Sequence, residues 1–184
     1  MIGDENGPLD HVPAYADPRV RAFHDYWKRM APGPGLLPAR RHFDPTAMPE
    51  LMPNIWLVDI VGAPPRFRYR LIGTALDTGP LAGATGRFMD EVSPDFAVNP
   101  TLPDYHAVAK GTISWRRGAP AFSFMEVWRA IERIMLPLAE DGKTPDMMLN
   151  LTLVLERAPP RLGFSASQDR RHRGRARRRS RSPA

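Results

Sequence analysis

Between Arg66 and Gly73 the chain alternates: Phe67, Tyr69 and Leu71 fall on one side, and Arg66, Arg68 and Arg70 on the other. That is the period-2 pattern of an antiparallel strand buried on one face. Upstream, Asn54–Val61 is a nearly unbroken apolar run with β-branched residues, a strand covered on at least one face. Gly62-Ala63-Pro64-Pro65 separates the two, because consecutive prolines fix φ and remove two donors. The pair therefore reads as a hairpin. Three more strands come later: Ile113–Arg117, Met125–Leu138 and Asp146–Glu156, the last two joined by Asp141-Gly142-Lys143, a tight-turn signal. Within Met125–Leu138, Trp128, Ala130, Ile134, Leu136 and Leu138 share one parity, and Arg129, Ile131, Arg133 and Met135 the other.

Helical spacing appears in two places. Asp17-Pro18 supplies an N-cap followed by proline at the first helical position, and Val20, Phe23, Trp27 and Met30 then form one apolar stripe. Leu102–Lys110 is the second helix, with Tyr105 and Val108 on its buried side and Gly111 at its end. Short helical turns are expected at Thr46–Leu51 and Arg87–Val92. Two strands, then helices, then three strands in a meander describe an α+β domain: one five-stranded antiparallel sheet with helices on one face, plus an N-terminal amphipathic helix.

The N-terminal stripe is too short to be a stable helix alone, so it must pack on something. Two partners stand level: the domain's own sheet, or the same helix of a second copy. The second makes Val20, Phe23, Trp27 and Met30 dimerisation candidates, and Trp27→Glu the substitution that would give a monomer. Residues 1–16 are polar and broken by glycine and proline, and are expected to be disordered. The expected organisation is a disordered segment 1–16, a helix 17–31, a domain 36–157 and a tail 158–184.

Charge changes the picture only once it is divided. The chain of 184 residues carries +6, yet Arg170–Ala184 holds eight of the 26 basic residues and no acid. Residues 1–169 then have 18 basic against 20 acidic groups, a net of −2. Any attraction to nucleic acid rests on the tail, which would bind phosphates without sequence preference and release them as salt rises. The competing reading is a neutral, solvated, disordered extension. No cysteine is present, which excludes disulfides, thiolate metal sites and a cysteine nucleophile. No apolar run is long enough to span a bilayer and the N-terminus lacks a secretory pattern, so a soluble, cytoplasmic protein is expected. The glycines at 73, 79, 83 and 86 form no phosphate-binding fingerprint, and no nucleophile elbow or zinc-protease motif occurs, so no catalytic residue is nominated.

His24-Asp25-Tyr26-Trp27, Leu37-Pro38-Ala39-Arg40, Phe43-Asp44-Pro45, the run Pro49–Asn54, the run Phe67–Thr74 and the run Glu132–Leu138 with Asp141-Gly142 resemble a bacterial branch of PAS domains. These are small stand-alone PAS proteins common in alphaproteobacteria. The resemblance covers about His24 to Glu156. It implies a PAS fold enclosing a small pocket, and a sensory or interaction module in place of an enzyme. It also implies a place for haem, since a histidine on the helix in this region ligates iron in haem-binding relatives; His106 would be that ligand, against the plainer reading of a hydrogen-bonded or exposed histidine. Covalent haem and a cysteinyl-flavin photocycle are excluded by the missing cysteine. The cofactor is left unknown.

The pocket candidates are Trp56, Tyr69, Leu71, Tyr105, His106, Trp115 and Trp128. Aromatic residues on strands are usually core, but a pocket between sheet and helices is lined by core residues, so the readings overlap. Arg66, Arg68 and Arg70 read as a solvated ridge neutralised by cross-strand partners such as Asp59 or Glu132, and Glu132-Arg133 as a surface pair. The expected partners are an unidentified small ligand or protein, a second copy, and nucleic acid through the tail only.

Overall fold

The computed structural model describes residues 5–9, 11–121 and 128–157, with backbone alone at 5–9, 128, 129 and 157. Its centre is an antiparallel sheet of β2 (Ile55–Val61), β3 (Arg66–Ile72), β4 (Ile113–Gly118), β5 (Trp128–Leu138) and β6 (Met147–Arg157), in the spatial order β4-β5-β6-β2-β3. These are the five strands of the sequence pattern. A short strand at the other end of the chain, β1 (Glu5–Leu9), pairs antiparallel with β4 and extends the sheet to six. Residues 5–9 were expected to be disordered. Their polar composition hides a backbone whose role is to pair with β4, so that β4 is not left as a bare edge. The arginine-rich tail lies outside the described residues.

The sheet carries apolar side chains on both faces. One face bears Leu57, Trp115, Ile134, Leu136, Leu138, Leu149 and Leu151, and α1 (Pro18–Met30) lies across it. The other bears Trp56, Val58, Phe67, Tyr69, Ile131, Met135 and Met148, and is covered by the segment between β3 and β4. That segment includes α2 (Met89–Val92), α3 (Leu102–Val108) and 3₁₀ turns at Gly79–Leu81 and Pro94–Val98. Period 2 along β5 and β6 is what feeds both cores, since neighbouring residues point to opposite faces.

α1 is built as its caps predict. Pro18 opens it, and the Asp17 carboxylate accepts the Arg19 backbone N–H at 2.9 Å. Val20, Phe23 and Met30 are buried in the chain's own core. Trp27 is half-buried, and its indole N–H donates to the Pro137 carbonyl at 2.9 Å. Of the two partners open to the stripe, the domain's own sheet takes it. Three of the four dimerisation candidates, Val20, Phe23 and Met30, are thus buried within one chain, and Trp27 stays partly exposed. Each fully buried large apolar side chain contributes about 1.5–3 kcal/mol, which the helix could not recover alone.

The cap gives a pH-dependent prediction. Hydrogen bonds from the Arg19 side chain hold the Asp17 carboxyl below its ordinary value, against the opposing effect of burial. A depressed folded-state pKa means stability that is present above the unfolded value of 3.8 and lost as pH falls through the folded one. Asp17→Ala is expected to cost about 1 kcal/mol at pH 7. In urea titrations the difference from wild type should shrink below pH 4; a difference independent of pH would contradict this account.

Two irregularities decide which side chains reach the covered faces. Pairing of β2 with β3 shifts between Leu57 and Val58, with Leu57 opposite Leu71 and Val58 opposite Tyr69, so Arg70 is an extra, bulged residue. Strict alternation put Leu71 beside Tyr69. The bulge moves Leu71 to the α1 face and brings Ile72 to the other. Second, Glu132 and Arg133 are not a surface pair: both are buried, on opposite faces. Of the partners expected for the arginines of β3, Asp59 is taken by Arg68 and Glu132 by none of them. Arg68 pairs with Asp59 at 2.9 Å and Arg66 with Asp90 at 2.8 Å.

Candidate functional site

Between the sheet and the β3–β4 segment lies a cavity of ≈ 40 Å³, the volume open to the centre of a water molecule. A single water needs about 10–15 Å³ on that measure, so the space holds a few waters or a small organic group. β2 and β3 give it Trp56, Tyr69 and Ile72; the turns beyond β3 give Leu76 and Leu81; α3 gives Tyr105. β4, β5 and β6 give Arg116, Ile131, Arg133 and Thr152, and Ala121 completes the wall.

Tyr69 and Tyr105 pack among Trp56, Phe67 and Phe96, with Phe67 and Phe96 each 5.3 Å from the Tyr105 ring centre. Burial pushes both phenols well above their ordinary pKa, so they stay protonated and able to donate. The Trp56 indole N–H donates to Thr152 Oγ1 at 3.0 Å, which fixes the ring against β6. Arg133 is cross-strand from Arg116. Its side chain is 5% exposed, and Nη2 donates to Asp104 Oδ2 on α3 at 3.1 Å. Its Nε, also buried, has no hydrogen-bond partner among the described residues. Arg116 Nη2 donates to the Ala119 carbonyl at 2.9 Å. The described wall contains no carboxylate.

Of the pocket candidates, Trp56, Tyr69 and Tyr105 come together here. Leu71 does not, because of the bulge at Arg70. Trp115 does not either: it lies on the α1 face, edge-on to Tyr15 at 5.8 Å, with its indole N–H on Glu132. Its neighbour Arg116, of the other parity, is the β4 residue that faces the cavity. His106 sits on α3 but outside the wall, edge-on to Phe67 at 5.5 Å, so the ring is not placed as an iron ligand aimed into the cavity. The Trp128 side chain lies outside the described ones. Arg116, Arg133 and Thr152 were not nominated, since charged or polar residues on a strand read by default as its solvated face. The signal that could have found them is parity: Arg133 shares its side of β5 with Ile131 and Met135.

On the opposite face, Glu132 is 0% exposed. Its Oε1 accepts the Trp115 indole N–H at 3.0 Å and the backbone N–H of Asp17, the α1 cap residue, at 2.8 Å. Arg117 lies 3.7 Å from Oε2. One buried carboxylate thus ties the start of α1 to β4 and β5.

Among the described residues no group of histidine and acidic side chains could hold a metal ion, and no helix is long and apolar enough to cross a membrane. A family model for the PAS domain matches residues 16–85, from the start of α1 through the β2–β3 hairpin to the turns over the cavity. Over residues 16–85 the chain is similar to a PAS domain. The remaining strands, β4 to β6, complete the five-stranded antiparallel sheet of the PAS-like fold around the same cavity. No curated protein and no solved structure matches the chain. The similarity to a PAS domain suggests a sensory or regulatory module as the coarse role.

Proposed function

We propose that this PAS domain is a ligand-gated regulatory module, without catalysis of its own, in which the state of the cavity sets how firmly α1 is held on the sheet. One observation carries the reading. Arg133 and Glu132 are consecutive on β5, and each anchors a different layer: Arg133 faces the cavity and holds α3, while Glu132 faces away and holds the start of α1. β4 repeats the arrangement, with Arg116 in the cavity wall between Trp115 and Arg117 on the α1 face. A shift of these strands that suits a cavity occupant must therefore move the acceptor on which α1 depends. Two packings of α1 of unequal affinity for the occupant are all that a population shift requires.

The described wall offers two protonated phenols and two guanidiniums as hydrogen-bond donors.

Filling the cavity with a side chain tests the coupling without knowing the ligand. Leu81→Trp puts an indole into the space from a turn that does not touch α1. Hydrogen exchange of the α1 amides is expected to change several-fold while that of β6 stays as in wild type. Unchanged α1 exchange in a folded Leu81→Trp protein removes the gating reading and leaves only a structural cavity.

A further inference from the structure

The wall of the cavity is mainly apolar: Trp56, Ile72, Leu76, Leu81 and Ile131 line it from the sheet and from the turns beyond β3. Its two cations are already engaged. Arg133 is paired with Asp104 at 3.1 Å, and Arg116 donates to the Ala119 carbonyl and is not a free cation. A charged ligand would give up its hydration with no unmatched charge to meet it, which costs far more than burying a neutral group. The two tyrosines of the wall are a different case. Neither the Tyr69 nor the Tyr105 hydroxyl hydrogen-bonds to a described residue. Burial keeps both phenols protonated over the physiological range. Thr152 Oγ1, an acceptor in the same wall, is engaged by the Trp56 indole N–H at 3.0 Å. An apolar lining is thus combined with two neutral donors that lack an acceptor, and a buried donor without an acceptor is costly.

We infer that the cavity takes a small uncharged carbonyl compound, its compact apolar body among Ile72, Leu76 and Leu81 and its oxygen accepting from the Tyr69 and Tyr105 hydroxyls. Pockets of this kind hold a ligand by apolar surface and orient it by a few polar groups. A carbonyl that meets the phenols keeps the hydrogen bonding it had in water, so the apolar body is buried without a polar group left over. A hydrocarbon of the same shape leaves the hydroxyls unanswered. A carboxylate brings a charge that the wall does not match. The volume of ≈ 40 Å³ restricts the body to a short branched chain or one small ring. This inference deepens the regulatory reading of the cavity and rests on it, but is tested apart from it.

The test uses the full chain and two sets of probes matched in shape. One set is acetone, isobutene and isobutyrate; the other is cyclopentanone, methylenecyclopentane and cyclopentanecarboxylate. Within each set a ketone is compared with its methylene analogue and with a carboxylate. Binding is read by NMR from the indole N–H of Trp56, which lines the cavity, at constant ionic strength. At least one ketone is expected to bind at least tenfold more tightly than the carboxylate of its set. Tyr69→Phe and Tyr105→Phe keep the rings and remove only the hydroxyls. At least one of them is expected to weaken that ketone fivefold or more, the scale of one hydrogen bond, without weakening its methylene analogue. If in both sets the carboxylate binds within tenfold of the ketone or more tightly, the neutral assignment is overturned. Ketone binding that is unchanged in both variants, or that falls together with that of the methylene analogue, overturns the role of the hydroxyls and with it the carbonyl class. No binding by either ketone overturns the inference too. The α1 exchange of Leu81→Trp is measured without any ligand and decides the gating reading by itself.

Discussion

Gly73→Ala is expected to destabilise the protein by about 3 kcal/mol, the upper part of the range for overpacking a closed site. A Cβ at this position would collide with the backbone carbonyl oxygens of Met52, Pro53 and Ile55. None of these can turn aside as a side chain can. They belong to the 3₁₀ turn Pro49–Asn54 and the first residue of β2, and the same crossing is held by the bond from Ala75 N–H to the Pro53 carbonyl at 2.9 Å. Leu76 and Asp77 then donate to the Gly73 carbonyl at 2.9 and 3.1 Å, which starts the segment that roofs the cavity. A methyl group at residue 73 therefore disturbs both the hairpin and the roof. Gly33→Ala is the control, because the nearest atom to its added Cβ is the Leu36 Cδ1 at 3.9 Å. Chemical denaturation should separate the two by most of the expected loss; an alanine at residue 73 as stable as wild type would show that the backbones do not approach this closely.

Glu132→Leu is expected to cost about 3–5 kcal/mol, the usual consequence of removing one partner from a buried charged cluster. It leaves the Trp115 indole N–H, the Asp17 amide and the Arg117 guanidinium without the acceptor they share. Glu132→Gln keeps an oxygen in the same place and should cost much less. The informative readout is local. In Glu132→Gln, which should stay folded, amides of α1 are expected to exchange faster than those of β5 and β6, because the Asp17 anchor loses its charge-assisted bond. Uniform exchange across α1 and the sheet would mean that Glu132 stabilises the core without governing the helix.

Much of the fold was legible because it depends on periodicity. Alternation from Arg66 to Tyr69, the apolar run Asp146–Glu156, the Asp17-Pro18 cap and the prolines after Gly62 are local signals, and the structure follows them. The candidate site was legible only in part. Trp56, Tyr69 and Tyr105 were marked by being large and aromatic, and any core-facing set would have included them. Leu71 was misplaced because a single bulged residue inverts the parity of everything after it, and no local signal at Arg70 announces the bulge. Trp115 was misplaced because a strand with apolar cover on both faces gives no clue as to which face holds the cavity. Arg116, Glu132, Arg133 and Thr152 were passed over because charge or polarity on a strand normally means water.

What the chain's own pattern of residues determined is five of the six described strands, the helices α1 and α3 and the antiparallel character of the sheet. These arise from φ/ψ preferences, caps and side-chain period, all set within a few residues. What only the tertiary structure decided is which face encloses space, where the α1 stripe docks and which charges are buried. Those depend on contacts between residues a hundred positions apart, such as Glu132 with Asp17. Burial inverts the meaning of a charge: the same arginine that solvates a surface becomes, beside a cavity, a demand for an acceptor.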